Sequence, residues 1–182
     1  MVYIFLADGF EDMEAVQPRD LLLRAGIKVK TVGIGAKTVK SAFGLAVTAD
    51  ITEDEFDPSD ADAVVFPGGM PGAANLAASK TVKNAVAFAL GHNRVIGAIC
   101  AAPGVVLANT GALSGKRYTC YPGYETAEGT YTAAKTERDG NLITANGPAA
   151  AAKFAAALAG AVSSSKAEKF IEDMYKLSLI HI

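Results

Sequence analysis

The stretch "VIGAICAAPGVVLANTG", Val95–Gly111, decides the fold. Its first residues form a short, continuous apolar run of strand length, and at Cys100 the pattern changes to small residues with helical spacing. A strand buried on both faces that runs straight into a helix is the repeating unit of a parallel sheet, because parallel strands need a crossover to return to the same edge. The same strand-then-helix order recurs on either side. "VYIFLA" precedes "MEAVQPRDLLLRAG", and "ADAVVFPGG" precedes "SKTVKNAVAFALGHN", where Val82, Val86 and Leu90 are spaced at four. "IKVKTVGIG" reads as a further strand, and "KTVKSAFGLAVTAD" as a hairpin excursion around Gly44. "RYTCY" and "TYTAAKTERDGNLITA" read as strands, with a hairpin turn at Asp139-Gly140. A helix from Pro148 to about Val162 follows, and "SSS" at 163–165 sets off a last helix, "KAEKFIEDMY". The expected fold is α/β, a mostly parallel sheet covered by helices on both faces with right-handed crossovers.

Length and charge narrow the function. A chain of 182 residues has core enough to fold as one domain without a metal or a disulfide framework. A formal charge of −2, with no run of Lys and Arg, argues against nucleic acid and anionic membrane as partners. Two cysteines, Cys100 and Cys120, lack zinc-ligand spacing, so no metal is expected, and they point to a reducing, cytoplasmic setting. "VYIFLA" is too short to span a bilayer. "LSLIHI", Leu177–Ile182, reads as the in-frame translation of a transposon-end sequencing adapter. The expected domain is therefore 1–176, and His181 is set aside.

In a doubly wound sheet, ligands bind at the carboxyl ends of the strands, which here are the segments after Leu6, Phe66 and Ile99. Cys100 stands at the third of these. A nucleophile elbow needs small residues two places either side, and Ala98 and Ala102 occupy those places. The start of a helix favours thiolate, the reactive form, although a free cysteine also serves as a small packing residue. After the first strand, Glu11, Asp12 and Glu14 lie on the same rim, where acidic residues also suit a helix start. One such carboxyl, kept protonated by burial, is able to share a hydrogen bond with the thiolate. Gly68 and Gly69 let backbone amides come close to a ligand, and with the amide of Ala101 they form an oxyanion hole. His92 belongs to the opposite end of the sheet. Nucleotide-binding glycine motifs are absent.

"ADGFEDMEAV", "FPGGMPGAANL", "GAICAAPGVVLANTGALSGKRYT" and "ITANGPAAAAKFAAAL" resemble, in order and spacing, the ThiJ/PfpI family in its parkinsonism-associated deglycase branch, over Val2 to about Val162. The resemblance implies a flavodoxin-like three-layer α/β sandwich, a homodimer, and kinship with class I glutamine amidotransferase domains. It implies that Cys100 is the oxidisable nucleophile, Glu14 the acid in contact with it and Gly69 a backbone donor. The histidine that some members carry falls at Tyr121, either a hydrogen-bond donor or a packing aromatic lining the pocket, and a phenol is a poorer base than an imidazole. Family proteases carry histidine after the nucleophile. Ala101 stands there, which excludes the protease reading. The implied activity is a cofactor-free, glutathione-independent glyoxalase or deglycase acting on methylglyoxal-like dicarbonyls or early glycation adducts. The implied alternative is an oxidation sensor or redox-regulated chaperone. Cys120 is expected to be buried packing, with a resolving thiol as the other reading.

Overall fold

Apolar strands and helices alternate from the second residue onward in the computed structural model, which describes the backbone of residues 1–180 and the side chains of residues 1–176. The expectation for Leu177–Ile182 lies outside the fully described residues. In chain order the elements are β1 (Val2–Leu6), α1 (Asp12–Arg24), β2 (Val29–Gly33), β3 (Thr38–Lys40), β4 (Ala46–Thr48), β5 (Ile51–Thr52), β6 (Ala63–Phe66), α2 (Gly72–Ala78), α3 (Lys80–Gly91), β7 (Val95–Ile99), α4 (Ala102–Val105), β8 (Arg117–Tyr118), β9 (Thr130–Tyr131), β10 (Thr136–Asp139), β11 (Leu142–Ala145), α5 (Ala151–Val162) and α6 (Ser165–Ile180). The central sheet has seven strands in the order β10-β11-β7-β6-β1-β2-β5. All its pairings are parallel except β10 with β11, the hairpin that turns at Gly140.

Side-chain alternation along β1 shows why both faces must be covered. Val2, Ile4 and Leu6 enter a core shared with α1, α5 and α6, while Tyr3 and Phe5 enter a second core with α2 and α3. Each fully buried aliphatic or aromatic side chain in these layers contributes about 1.5–3 kcal/mol. Gly97 in β7 lets α5 close down on the sheet, since a Cβ there would stand 2.9 Å from Leu158 Cδ2 and 3.1 Å from Phe154 Cζ. The result is the expected three-layer α/β sandwich.

The direction of chain travel reverses beside β1. β2 and β5 are added on one side, and the chain then returns to place β6 and β7 on the other. The carboxyl ends of β1, β6 and β7 therefore border the crevice where such sheets bind ligands.

Three local expectations change. The helix expected over "AAPGVVLANTG" is only Ala102–Val105, followed by turns. Gly104 and the β-branched Val105 and Val106 are poor helix formers, and Asn109 and Gly111 take positive φ. "RYTCY" is strand only at Arg117–Tyr118, and it pairs with β9 in a separate two-stranded sheet; the next amide, of Thr119, donates to the Thr144 hydroxyl at 2.9 Å instead of continuing a ladder. Cys120 and Tyr121 thus lie beyond the strand. On α3, Leu90 is exposed and Ala85, Val86 and Ala89 fill the buried stripe with Val82. Pro18 falls inside α1, where it removes the amide that would meet the Glu14 carbonyl. The β3–β4 hairpin forms as expected.

Candidate functional site

Three turns at the carboxyl ends of β1, β6 and β7 bring Glu14, Gly68, Gly69, Cys100 and Ala101 together. Cys100 has φ +63°, a conformation that costs a side-chain-bearing residue about 1–3 kcal/mol. Its backbone is held on both sides: the Cys100 amide donates to the Ala145 carbonyl at 2.8 Å, and its own carbonyl accepts from the Tyr121 amide at 2.8 Å. This is the strained strand-to-helix turn of a nucleophile elbow, and it leaves the thiol partly exposed.

Glu14 arrives from the first turn of α1. The Glu11 carboxylate caps that helix by accepting from the Glu14 amide at 2.9 Å. The Glu14 side chain then points inward and is fully buried. Its Oε2 accepts from the Gly68 amide at 2.8 Å, while Oε1 is buried with no hydrogen-bond partner. Gly68 is required by space. A Cβ there would lie 2.6 Å from Cys100 Cβ and 2.7 Å from Glu14 Oε2. Gly69, with φ +83°, turns the chain back so that a Cβ on it would strike the Glu11 amide nitrogen at 2.5 Å.

Burial pushes the Glu14 carboxyl up to about 7, an effect that the Gly68 amide and the contact with Cys100 oppose and that Glu11 slightly reinforces. Burial likewise pushes the Cys100 thiol up, to about 12, and the neighbouring Glu14 charge adds to it; the amides of Ala101 and Gly69 hydrogen-bond the sulfur and oppose the rise. Burial is the main cause of both rises, and at Cys100 the adjacent Glu14 charge makes a second negative charge in the same poorly solvated site harder to form. The pair therefore titrates as a unit, losing one proton near neutrality and holding the other. When the remaining proton sits on Glu14, the sulfur is a thiolate facing a carboxylic acid and two amides. The helix-dipole expectation is corrected here. With only four residues, α4 carries a small dipole, and the ionisation is governed by the carboxyl and the amides.

The other sequence candidates fall elsewhere. His92 caps α3 at the amino end of β7, with its ring stacked on Phe88 and Nδ1 3.0 Å from the Phe88 carbonyl oxygen. Cys120 is fully buried in the second core, and burial together with the Glu125 charge pushes it up to about 11. Tyr121 lies on the rim, half exposed, with its ring against Gly147. Missed in the sequence was the Gly68–Glu14 hydrogen bond, for which the only sign was the doubled glycine after β6. Cavities of 310 Å³ between α1 and the β3–β4 hairpin and of 380 Å³ at the ends of β1 and β2 are not lined by Cys100. Among the described residues no cluster of His, Cys, Asp and Glu is placed to hold a metal, and no helix is long and apolar enough to cross a membrane.

The profile of the DJ-1/PfpI family matches residues 1–161. The Parkinson disease protein 7 homolog of Danio rerio is 36% identical over 84% of this chain and 84% of its own. The glutathione-independent glyoxalase DJR-1.2 of Caenorhabditis elegans is 29% identical over 80% of this chain and 78% of its own. Against protein DJ-1 homolog B of Arabidopsis thaliana, 34% identical, the chain spans only 36% of the relative's length. Among solved structures, a cysteine-to-alanine mutant of a DJ-1 superfamily protein from Salmonella typhimurium superposes with TM-score 0.87 at 35% identity, covering 96% of this chain and 97% of that one. Oxidized Toxoplasma gondii DJ-1 superposes with TM-score 0.89 at 28% identity, covering 96% of each.

Proposed function

The chain belongs to the DJ-1/PfpI family, and from that premise and the site geometry we propose that it is a cysteine-dependent, glutathione-independent glyoxalase acting on methylglyoxal-like 2-oxoaldehydes and, by the same chemistry, on their early glycation adducts. One observation carries the reading. A fully buried carboxyl with a pKa of about 7 touches a thiol on a strained elbow, with two backbone amides on the sulfur. A group titrating near neutrality is the most effective proton carrier at neutral pH.

The Cys100 thiolate bonds to the aldehyde carbon as the carbonyl oxygen takes the proton from Glu14, and the oxygen of the resulting hemithioacetal lies by the amides of Gly69 and Ala101. Glu14 takes the proton from that carbon and returns it to the neighbouring ketone carbon. The former aldehyde carbon is thereby oxidised to a thioester and the ketone carbon reduced to an alcohol, with no external oxidant. Water cleaves the thioester, releasing lactate and restoring the thiol. Glu14 Oε1, buried and unpartnered, is the oxygen free to carry the proton. Tyr121 lines the site, and no step needs an imidazole. A homodimer in a reducing, cytoplasmic setting goes with this reading. It is supported by the exposed apolar side chains Met13 and Val16 on α1 and Phe43 and Leu45 on the β3–β4 hairpin.

The test is lactate formation from methylglyoxal without glutathione, comparing the wild type with Cys100→Ser and Glu14→Gln. Turnover abolished in both variants is expected, and turnover retained in Cys100→Ser overturns the reading. A second reading, a sensor in which Cys100 stops at sulfinic acid, is favoured by the same unpartnered Oε1, which as an acid donates to a sulfinate oxygen. The Toxoplasma gondii relative is described as oxidized. Mild peroxide should then add two oxygens to Cys100 and none to Cys120.

A further inference from the structure

The rim beside Cys100 carries an aromatic wall that the chemistry above leaves unused. Tyr121 is held by its own amide on the Cys100 carbonyl at 2.8 Å, so its position relative to the nucleophile is set by backbone, not by packing alone. Its ring rests over Gly147, where a Cβ would lie 3.4 Å from Cδ2, just past the strand whose Ala145 carbonyl anchors the elbow. The Tyr124 ring meets it nearly edge-on, with centroids 6.5 Å apart and planes at 66°.

The loop that bears both rings is tied at several points. The Tyr124 amide donates to the Tyr121 carbonyl at 3.1 Å. The Tyr124 carbonyl oxygen lies where a Cβ on Gly104 would be 1.7 Å away, which presses the loop onto α4. The buried Tyr118 hydroxyl donates to the Thr126 carbonyl at 3.0 Å and accepts from the Thr126 amide at 2.7 Å. Tyr121 nevertheless keeps 48% of its surface open. A large ring that is anchored and wet, standing next to a nucleophile, is a preorganised stacking surface, because little freedom is lost when a flat ligand covers it.

Resting on the glyoxalase reading, we infer that Tyr121, backed by Tyr124, forms a subsite for a flat aromatic substituent, so that the site prefers 2-oxoaldehydes bearing an aryl group over methylglyoxal. The aldehyde carbon meets Cys100 while the aryl ring lies against Tyr121. A stacked pair of this kind changes selectivity by about tenfold.

The experiment measures kcat/KM for phenylglyoxal and methylglyoxal in the wild type, Tyr121→Phe and Tyr121→Leu, with folding checked by thermal melting. The phenylglyoxal to methylglyoxal ratio is expected to fall about tenfold in Tyr121→Leu and to persist in Tyr121→Phe, which keeps the ring and loses only the hydroxyl. A second measurement does not depend on turnover: the concentrations of mandelate and of lactate, the two product acids, that halve the rate of Cys100 alkylation by iodoacetamide. Mandelate should act at about tenfold lower concentration than lactate, and this gap should close in Tyr121→Leu. Turnover of both aldehydes with no such gap, and a ratio unmoved in Tyr121→Leu, overturns the subsite and leaves the glyoxalase reading in place. A mandelate gap without turnover of either aldehyde removes the glyoxalase reading and leaves the subsite standing. Absence of both overturns both.

Discussion

Cys100 and Cys120 are the same side chain in opposite circumstances, and their pKa values alone would mislead. Both are raised, and the fully buried Cys120 is raised less, to about 11 against about 12. The causes separate them. At Cys120 burial and the charge of Glu125 act together, and nothing favours the thiolate. At Cys100 part of the rise comes from Glu14, a group that itself accepts a proton near neutrality, and two amides work against the rise. An inert thiol is raised by what surrounds it permanently. A usable one is raised by a partner that can change state.

The largest test of this contrast is a pair of single substitutions. Cys100→Ser is expected to lower lactate formation by about 10⁴-fold or more, as loss of a nucleophile does, whereas Cys120→Ala should stay within about twofold while lowering the melting temperature through its cavity. Equal losses in the two variants would erase the distinction.

Gly68→Ala comes next. The added methyl group needs the space held by Cys100 Cβ and Glu14 Oε2 and must part them. A loss of about 10²–10³-fold in kcat/KM is expected, with the far-ultraviolet circular dichroism unchanged. Full activity would mean that the contact between the two groups is dispensable.

The third effect is thermodynamic. The Glu14 pKa is raised in the folded chain, so the folded state holds its proton more tightly than the unfolded state does, and the stability this favours is present at acid pH and lost as pH rises through about 7. Glu14→Gln, which never ionises, should therefore gain stability over the wild type by about 3 kcal/mol at pH 8 and by little at pH 4.5. Urea denaturation at the two pH values measures it, and an equal difference at both would show that Glu14 is not held neutral.

The smallest effect is one of shape. Iodoacetamide alkylation of Cys100 should follow two steps with pH in the wild type, one near 7 and one towards 12, because the pair shares a proton between them. In Glu14→Gln a single step between those values is expected. Cys120 should stay unmodified in both proteins until unfolding.

The sequence by itself determined the layers of this protein. Apolar runs of strand length alternating with helical spacing can satisfy their backbone and bury both strand faces in few ways other than a parallel sheet between helices. The same regularity placed Cys100, the Glu11–Glu14 segment and Gly68-Gly69 on one rim, since each follows a strand directly. The hairpins at Gly44 and Asp139-Gly140 were legible because turn chemistry is local.

What only the tertiary structure decided is whatever depends on atoms far apart in the chain. Which of three acidic residues turns inward follows from the Glu11 cap and the register of α1 against Gly68. The brevity of α4 and the departure of Tyr121 from its strand follow from a loop pressed onto Gly104 and clamped by Tyr118. The raised pKa values of Glu14 and Cys100 arise from burial, with the Glu14 charge adding to the rise at Cys100, and neither effect exists until β1, β6 and β7 stand side by side. Composition and spacing place residues on an edge; the electrostatics between them belongs to distances that only packing sets.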